Sequence, residues 1–144
     1  MVKILTGITR LYLDANILIY LLEGDEETQE RVHKLFVAVD EQKIDLVTSE
    51  ITITECLIGA IRDQNPQLIE AYNNLFAESG FLQLAPVSRN ILVQSAKTSA
   101  LLRLKTVDAL HYTTAIQSGC DGLITNDKAF KSSPEVKVIP FAEF

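Results

Sequence analysis

Apolar residues along this chain recur with two alternating periods, and the switching between them outlines an α/β fold. The run Arg10-Leu-Tyr-Leu-Asp14 is short, apolar and closed by a turn-forming acid, which predicts a first strand. An apolar helix is expected from Asn16 to about Glu23. Val32, Leu35, Phe36 and Val39 follow the i, i+3, i+4, i+7 spacing of an amphipathic second helix. Asp45 to Thr48 reads as a short strand. Ile53, Leu57, Ala60 and Ile61 then stripe a third helix, and Leu68, Tyr72, Leu75 and Phe76 a fourth. Pro66 stands where a first-turn proline is tolerated, and Gly80 where a helix cap is expected.

A third strand is expected from Phe81 to Ala85, ending near Pro86, followed by helices from Ile91 to Leu102 and from Val107 to about Ser118. Gly122 to Thr125 predicts a fourth strand, and Val136 to Ile139 an edge strand before Pro140. Strands alternating with helices of this length imply a central parallel sheet of four to five strands with helices on both faces. Residues 1–144 suit one domain, since no repeat, low-complexity tract or linker interrupts them. Sites in such folds form outside the carboxyl ends of the strands. Asp14 closes the first strand and Asp127 follows the fourth.

Composition narrows the class only a little. An apolar fraction of 47% and a charged fraction of 22% are ordinary for a folded soluble chain. The two cysteines, Cys56 and Cys120, lack metal-type spacing and read as small buried side chains in a reducing compartment. The longest apolar run, Ile17 to Leu22, is too short to span a bilayer, and no leader pattern opens the chain, so a cytoplasmic protein is expected. A net charge of −6 argues against binding nucleic acid through backbone electrostatics alone.

Four acids stand where acids are not expected. Asp14 is the only charged residue from Leu11 to Leu22, and Glu55 the only one from Ile51 to Ile61. Asp108 is the only one from Thr106 to Gln117, and Asp127 follows Gly-Leu-Ile-Thr-Asn at a strand exit. Each has an ordinary explanation. Asp14 suits a strand-to-helix turn, and Thr52-Ile-Thr-Glu55 fits a capping box. Asp108 suits a helix first turn, and Asp127 suits the cap of a short helix leading to Phe130. Taken together, four carboxylates in apolar segments without a nearby Lys or Arg suggest one shared divalent cation. Hard oxygen ligands of this kind suit Mg²⁺ or Mn²⁺. His111, three residues after Asp108, is read as a packing or supporting residue, and His33 as exposed.

Four segments carry a family resemblance: Tyr12 to Tyr20, Thr48 to Glu55, Thr106 to Ala115 and Leu123 to Phe130. In this order and spacing they resemble the PIN-domain nucleases, especially the VapC-type toxin ribonucleases, over nearly the whole chain from Arg10 to Phe144. The resemblance implies that Asp14, Glu55, Asp108 and Asp127 are the acidic quartet, holding one or two Mg²⁺ or Mn²⁺ ions. It implies that Asn16 and Thr125 orient the carboxylates. It further implies an RNA substrate, an antitoxin protein as partner and a homodimer. Lys128 and Ala129 stand where some members carry a further acid, which leaves a complete second metal site open. Ala15 replaces the small hydroxyl residue that often follows the first Asp. Two alternatives within the class are a catalytically silent scaffold that binds RNA or protein, and a stand-alone RNA-processing nuclease. A receiver-type phosphotransfer domain is disfavoured because Phe81 to Ala85 contains no Asp, and a dehalogenase-like phosphatase because residue 16 is Asn rather than Asp.

Overall fold

A computed structural model of the chain describes residues 3–77 and 80–144. In chain order the main elements are β1 (Arg10–Leu13), α1 (Ala15–Glu23), α2 (Glu26–Glu41), β2 (Asp45–Ser49), α3 (Ile51–Arg62) and α4 (Pro66–Ala77). They continue with β3 (Gln83–Ala85), α5 (Arg89–Leu102), α6 (Thr106–Gln117), β4 (Gly122–Thr125) and β5 (Lys137–Pro140). All five strands are parallel, in the order β3-β2-β1-β4-β5. The α/β fold expected from the sequence is therefore the fold observed.

Alternation along β1 divides the core in two. Leu11 and Leu13 project into a cluster with Leu46, Ile124 and Ile139 from neighbouring strands and with Ile17, Leu18, Val32, Leu35, Cys56 and Tyr72 from α1 to α4. Tyr12 projects to the other face, where Val47 and Leu123 meet Ala109, Tyr112 and Ala115 of α6. Parallel strands buried on both faces are the expected consequence of covering a sheet with crossover helices. Moving from β1 through β2 to β3 places α1 to α4 on one face. The chain then returns across the sheet to β4, and its crossover helices α5 and α6 fall on the opposite face, as a constant crossover hand requires. Strand order reverses at β1, so the gap between β1 and β4 is a topological switch point.

Helix α6 is unusual in burying seven consecutive residues, Ala109 to Ala115, because it lies between the sheet and α5. Its polar members are satisfied internally: Thr113 donates to Thr98 Oγ1 and Thr114 to the Leu110 carbonyl. Gly119 ends the helix in a left-handed conformation (φ 74), while its N–H donates to Ile116 O and that of Cys120 to Ala115 O. Gly122 is closely packed: a Cβ there would stand 3.1 Å from both Ile8 Cδ1 and Leu11 Cδ1, so these side chains would have to give by a few tenths of an ångström.

Several element boundaries differ from the sequence expectation. β3 begins at Gln83 rather than Phe81. Phe81 instead packs edge-on against Phe36, with ring centroids 5.4 Å apart, and so belongs to the helix layer rather than the ladder. The expected end of α4 just before Gly80 lies outside the described residues. On α3, Ala60 is buried but Ile61 is 57% exposed and Ile58 54% exposed, so the apolar stripe of this helix extends beyond the core. Cys56 and Cys120 are free and buried, and burial pushes both thiols up to about 12. Among the described residues no helix is long and apolar enough to cross a membrane.

The central position of β1 generates a test remote from the acids. Leu11→Ala, which removes a fully buried side chain, is expected to lower the unfolding free energy by about 2–5 kcal/mol in urea titration. A midpoint equal to that of the parent chain would contradict the placement of β1 at the core.

Candidate active site

Asp14 and Asp127 follow the carboxyl ends of β1 and β4, Glu55 comes from α3 and Asp108 from α6. Asp14 is the residue after β1 and the N-cap of α1, but makes no side-chain capping bond. It is only 6% exposed, and its Oδ2 accepts a 2.7 Å hydrogen bond from the hydroxyl of buried Thr125, the last residue of β4. Burial raises the Asp14 carboxyl above its ordinary range. The field of His111, when that ring is doubly protonated, and the Thr125 hydrogen bond act in the opposite direction.

Asp127 lies two residues beyond β4. Its backbone N–H donates to Thr125 Oγ1 at 3.0 Å, and its Oδ1 accepts from the Ala129 N–H at 2.9 Å. This is the local turn bond that an Asp at such an exit commonly makes. No helix follows it, so Asp127 is a turn residue rather than a helix cap. Thr125 thus touches both aspartates at once, donating to one side chain and accepting from the other residue's backbone.

Asp108 occupies the first turn of α6. Its carboxyl is raised first by burial and then by the negative charges of Asp127 and Asp14, with Glu55 adding a smaller push. The structure therefore brings Asp14, Asp108 and Asp127 into one electrostatic cluster. No Lys or Arg forms an ion pair with any of the three among the described residues.

Glu55 does not form the capping box that its sequence allows. Helix α3 starts at Ile51 without a side-chain cap, and Thr52 instead shares a 2.7 Å hydrogen bond with Thr48 across the β2–α3 junction. Glu55 Oε1 lies 2.5 Å from His111 Nε2. His111 is 1% exposed, and its Nδ1 is 2.6 Å from the Tyr12 hydroxyl, which also accepts a bond from the Ser49 N–H at 3.1 Å. His111 is thus a buried supporting residue, as its place one helical turn beyond Asp108 suggests. Tyr12 and Ser49 were not singled out from the sequence. The available signal was a tyrosine within a strand buried on both faces, since a buried hydroxyl needs a partner. Asn16 is exposed on α1 and makes no hydrogen bond to the four acids among the described residues.

Suitability for a cation can be judged from the donors themselves. Among the described residues, Asp14, Glu55 and Asp127 are each anchored through one oxygen, with no further side-chain hydrogen bond of ordinary geometry at the other, and Asp108 makes none. Carboxylate oxygens with uncompensated negative charge suit a hard divalent ion. The side chains are not drawn together tightly, however: among the described residues no three His, Cys, Asp or Glu groups stand at metal-binding spacing. The donor chemistry fits a hard divalent ion, while the spacing of the side chains as they stand does not bring three of them to one point.

Beside Asp127 a groove of about 280 Å³ is lined by Phe130, Val138, Pro140, Lys128 and Lys131. A second groove, of about 440 Å³, shares Asn126 with it and runs past Tyr20 and Arg31. A cavity of about 300 Å³ at the opposite ends of the strands, lined by Arg10, Asp45 and Gln83, is remote from the acids.

Comparison with known proteins agrees with this layout. The chain is similar in structure to a component of VapBC2 from Rickettsia felis, solved bound to a DNA fragment from its promoter. That match has 16% identity and a TM-score of 0.72, and covers 91% of this chain and 98% of the other. A toxin–antitoxin complex from Klebsiella pneumoniae matches at 24% identity and a TM-score of 0.67, covering 90% and 95%. VapC20 of Mycobacterium tuberculosis, a sarcin–ricin loop cleaving toxin, matches at 13% identity and 0.64, covering 78% and 86%. No curated protein matches the chain in sequence. The PIN domain model matches residues 11–135, from the first core residue of β1 to beyond Asp127, and the chain belongs to the PIN domain family.

Proposed function

We propose that residues 1–144 form one nuclease domain, a metal-dependent endoribonuclease acting as the toxin of a toxin–antitoxin pair. The observation that carries this reading is the cluster of Asp14, Asp108 and Asp127 at the β1–β4 switch point, whose mutual repulsion no Lys or Arg among the described residues relieves by an ion pair. Two of the similar structures, a toxin–antitoxin complex and a sarcin–ricin loop cleaving toxin, support the same class. The net charge of −6 is less of an obstacle than composition suggests, because the quartet accounts for four of those charges.

Asp14, Asp108 and Asp127 would hold Mg²⁺ or Mn²⁺, one ion or two, directly or through water. Bound there, the cation would neutralise charge on the scissile phosphate and favour ionisation of the attacking water. Glu55 is anchored at Oε1 and offers Oε2 to orient that water and take its proton. The leaving ribose oxygen departs in line as the phosphorus–oxygen bond breaks. Exposed Lys128 and Lys131 border the groove beside Asp127, where the RNA backbone would run. An antitoxin would block the same acids, with a basic side chain supplying the missing positive charge. Exposed Ile58 and Ile61 of α3 and Leu92 and Val93 of α5 support association into a homodimer. The cytoplasm is the compartment proposed for all of this.

Cleavage of labelled RNA with Mg²⁺ or Mn²⁺, against an EDTA control, tests the reading. Asp14→Asn or Asp108→Asn is expected to reduce the single-turnover rate by about 100-fold or more, with the fold intact by circular dichroism. Full metal-dependent activity in either variant would remove that acid from the mechanism.

Stability supplies a second, independent check. Asp14 and Asp108 have raised carboxyls, so the folded chain holds their protons more tightly than the unfolded chain does. Their stabilising contribution is present at low pH and is lost as pH rises from the ordinary carboxylate range through the raised values. In EDTA, Asp14→Asn is therefore expected to melt above wild type by a gap that is small near about pH 4 and widens toward neutrality. Mn²⁺ should raise the melting temperature of wild type and not that of the variant. A gap that narrows with rising pH would contradict the assignment of unrelieved charge to this cluster.

A further inference from the structure

Glu55 is the one acid of the four held by a chain of buried polar groups, and the direction of that chain can be worked out. The Tyr12 hydroxyl makes its close hydrogen bonds to the Ser49 N–H and His111 Nδ1, while the neighbouring Thr48 hydroxyl is engaged by Leu13 O and Thr52 Oγ1. The Ser49 amide can only donate, so the hydroxyl oxygen accepts there and its proton is available to Nδ1. Nδ1 is then the acceptor of a neutral imidazole, and the ring's own proton sits on Nε2, pointing at Glu55 Oε1 across 2.5 Å.

We infer that Tyr12 and His111 are positioning residues for the reaction: a one-way hydrogen-bond chain, from the Ser49 amide through Tyr12 and His111, that fixes Glu55 by Oε1 and directs Oε2 to the acid cluster. This rests on the ribonuclease reading above and adds to it residues that touch neither metal nor RNA. Four elements are tied in the process. Ser49 ends β2, Tyr12 lies on β1, His111 on α6 and Glu55 on α3. Both ring-bearing residues are fully buried, and their rings meet edge-on at 65° with centroids 5.7 Å apart, so neither is free to turn. Glu55 itself is half-buried, with its anchored oxygen toward the core. The hydroxyl of Tyr12 is therefore asked to do more than fill space, and Tyr12→Phe removes that hydroxyl while keeping the ring.

Two measurements decide the matter. Long-range ¹H–¹⁵N spectra of ¹⁵N-labelled, metal-free protein report the His111 tautomer without RNA or metal. The expected result is protonation at Nε2 in wild type and a mixed tautomer in Tyr12→Phe. An Nδ1-protonated neutral ring in wild type would overturn the chain. The second is a double-mutant cycle on single-turnover cleavage. Tyr12→Phe is expected to lower the rate by about 10- to 100-fold with little change in the RNA concentration for half-maximal rate. In the Glu55→Gln background it should cost almost nothing further. An equal loss in both backgrounds, or no loss in wild type, would show that Tyr12 does not act through Glu55. Should Tyr12→Phe fail to fold, the wild-type ring spectrum still decides the direction of the chain. An inactive wild type overturns the ribonuclease reading, while the same spectrum still tells whether the chain exists.

Discussion

Strand β1 is paired on both edges and covered on both faces, so its side chains meet water only where the strand ends. Asp14 stands at that end, and the molecule around it is arranged to keep its charge tolerable without cancelling it. A buried carboxylate ordinarily recruits a Lys or Arg, or gives up its charge. Here it receives a single hydroxyl bond from Thr125, and its nearest charged neighbours include further acids. Such a site costs stability in the ionised apo state. Strain of this kind at the switch point of a parallel sheet is the usual mark of a ligand that completes the charge.

The same constraint explains which parts of the molecule were legible beforehand. Faces of strands and helices follow from period two and period 3.6, so β1, α2 and β4 could be read from the run Arg10 to Asp14, from Val32, Leu35, Phe36 and Val39, and from Gly122 to Thr125. Pro66 announced the start of α4, and it begins α4 as expected. Phe81 reads as part of the ladder and belongs outside it, since a β-compatible aromatic next to a turn suits either the ladder or the helix layer. Only its partner Phe36, 45 positions away, decides between them. Ile61 continued an apolar stripe whose width the core did not require.

At the candidate site, isolation in apolar segments drew attention to the four acids, because an unpaired charge in such a segment is locally visible. What those acids touch was not visible. Glu55 satisfied the local pattern of a capping box, yet its partner is His111, 56 positions away. Tyr12 looked like one more core residue because sequence alternation reports which face is buried and not what a hydroxyl there must bond to. Its partner stands 99 positions away. Local rules, in short, predict local bonds. Where a tertiary bond replaced a local one, as at Glu55, or supplied a buried polar tip, as at Tyr12, the sequence carried no spacing from which to read it.

The anchoring of the acids also bears on how the cluster remains both ordered and open. A carboxylate with both oxygens hydrogen-bonded to protein is well positioned but has spent its ligand capacity, and one with neither bonded is available but poorly aimed. Asp14, Glu55 and Asp127 take the intermediate course, each with one oxygen engaged by a different kind of donor: a hydroxyl, an imidazole and a backbone amide. Orientation is then set by the protein before anything binds, which lowers the reorganisation needed when charge develops on a phosphate. Because the donors belong to β4, α6 and the turn after β4, the aim of the site depends on the sheet and α6 staying in register. Asp108, on the first turn of α6 and without such an anchor, is the member with freedom to adjust. In the proposed function, a cluster of three aimed carboxylates and one adjustable one would take up its cation through water rather than by closing first to coordination distance.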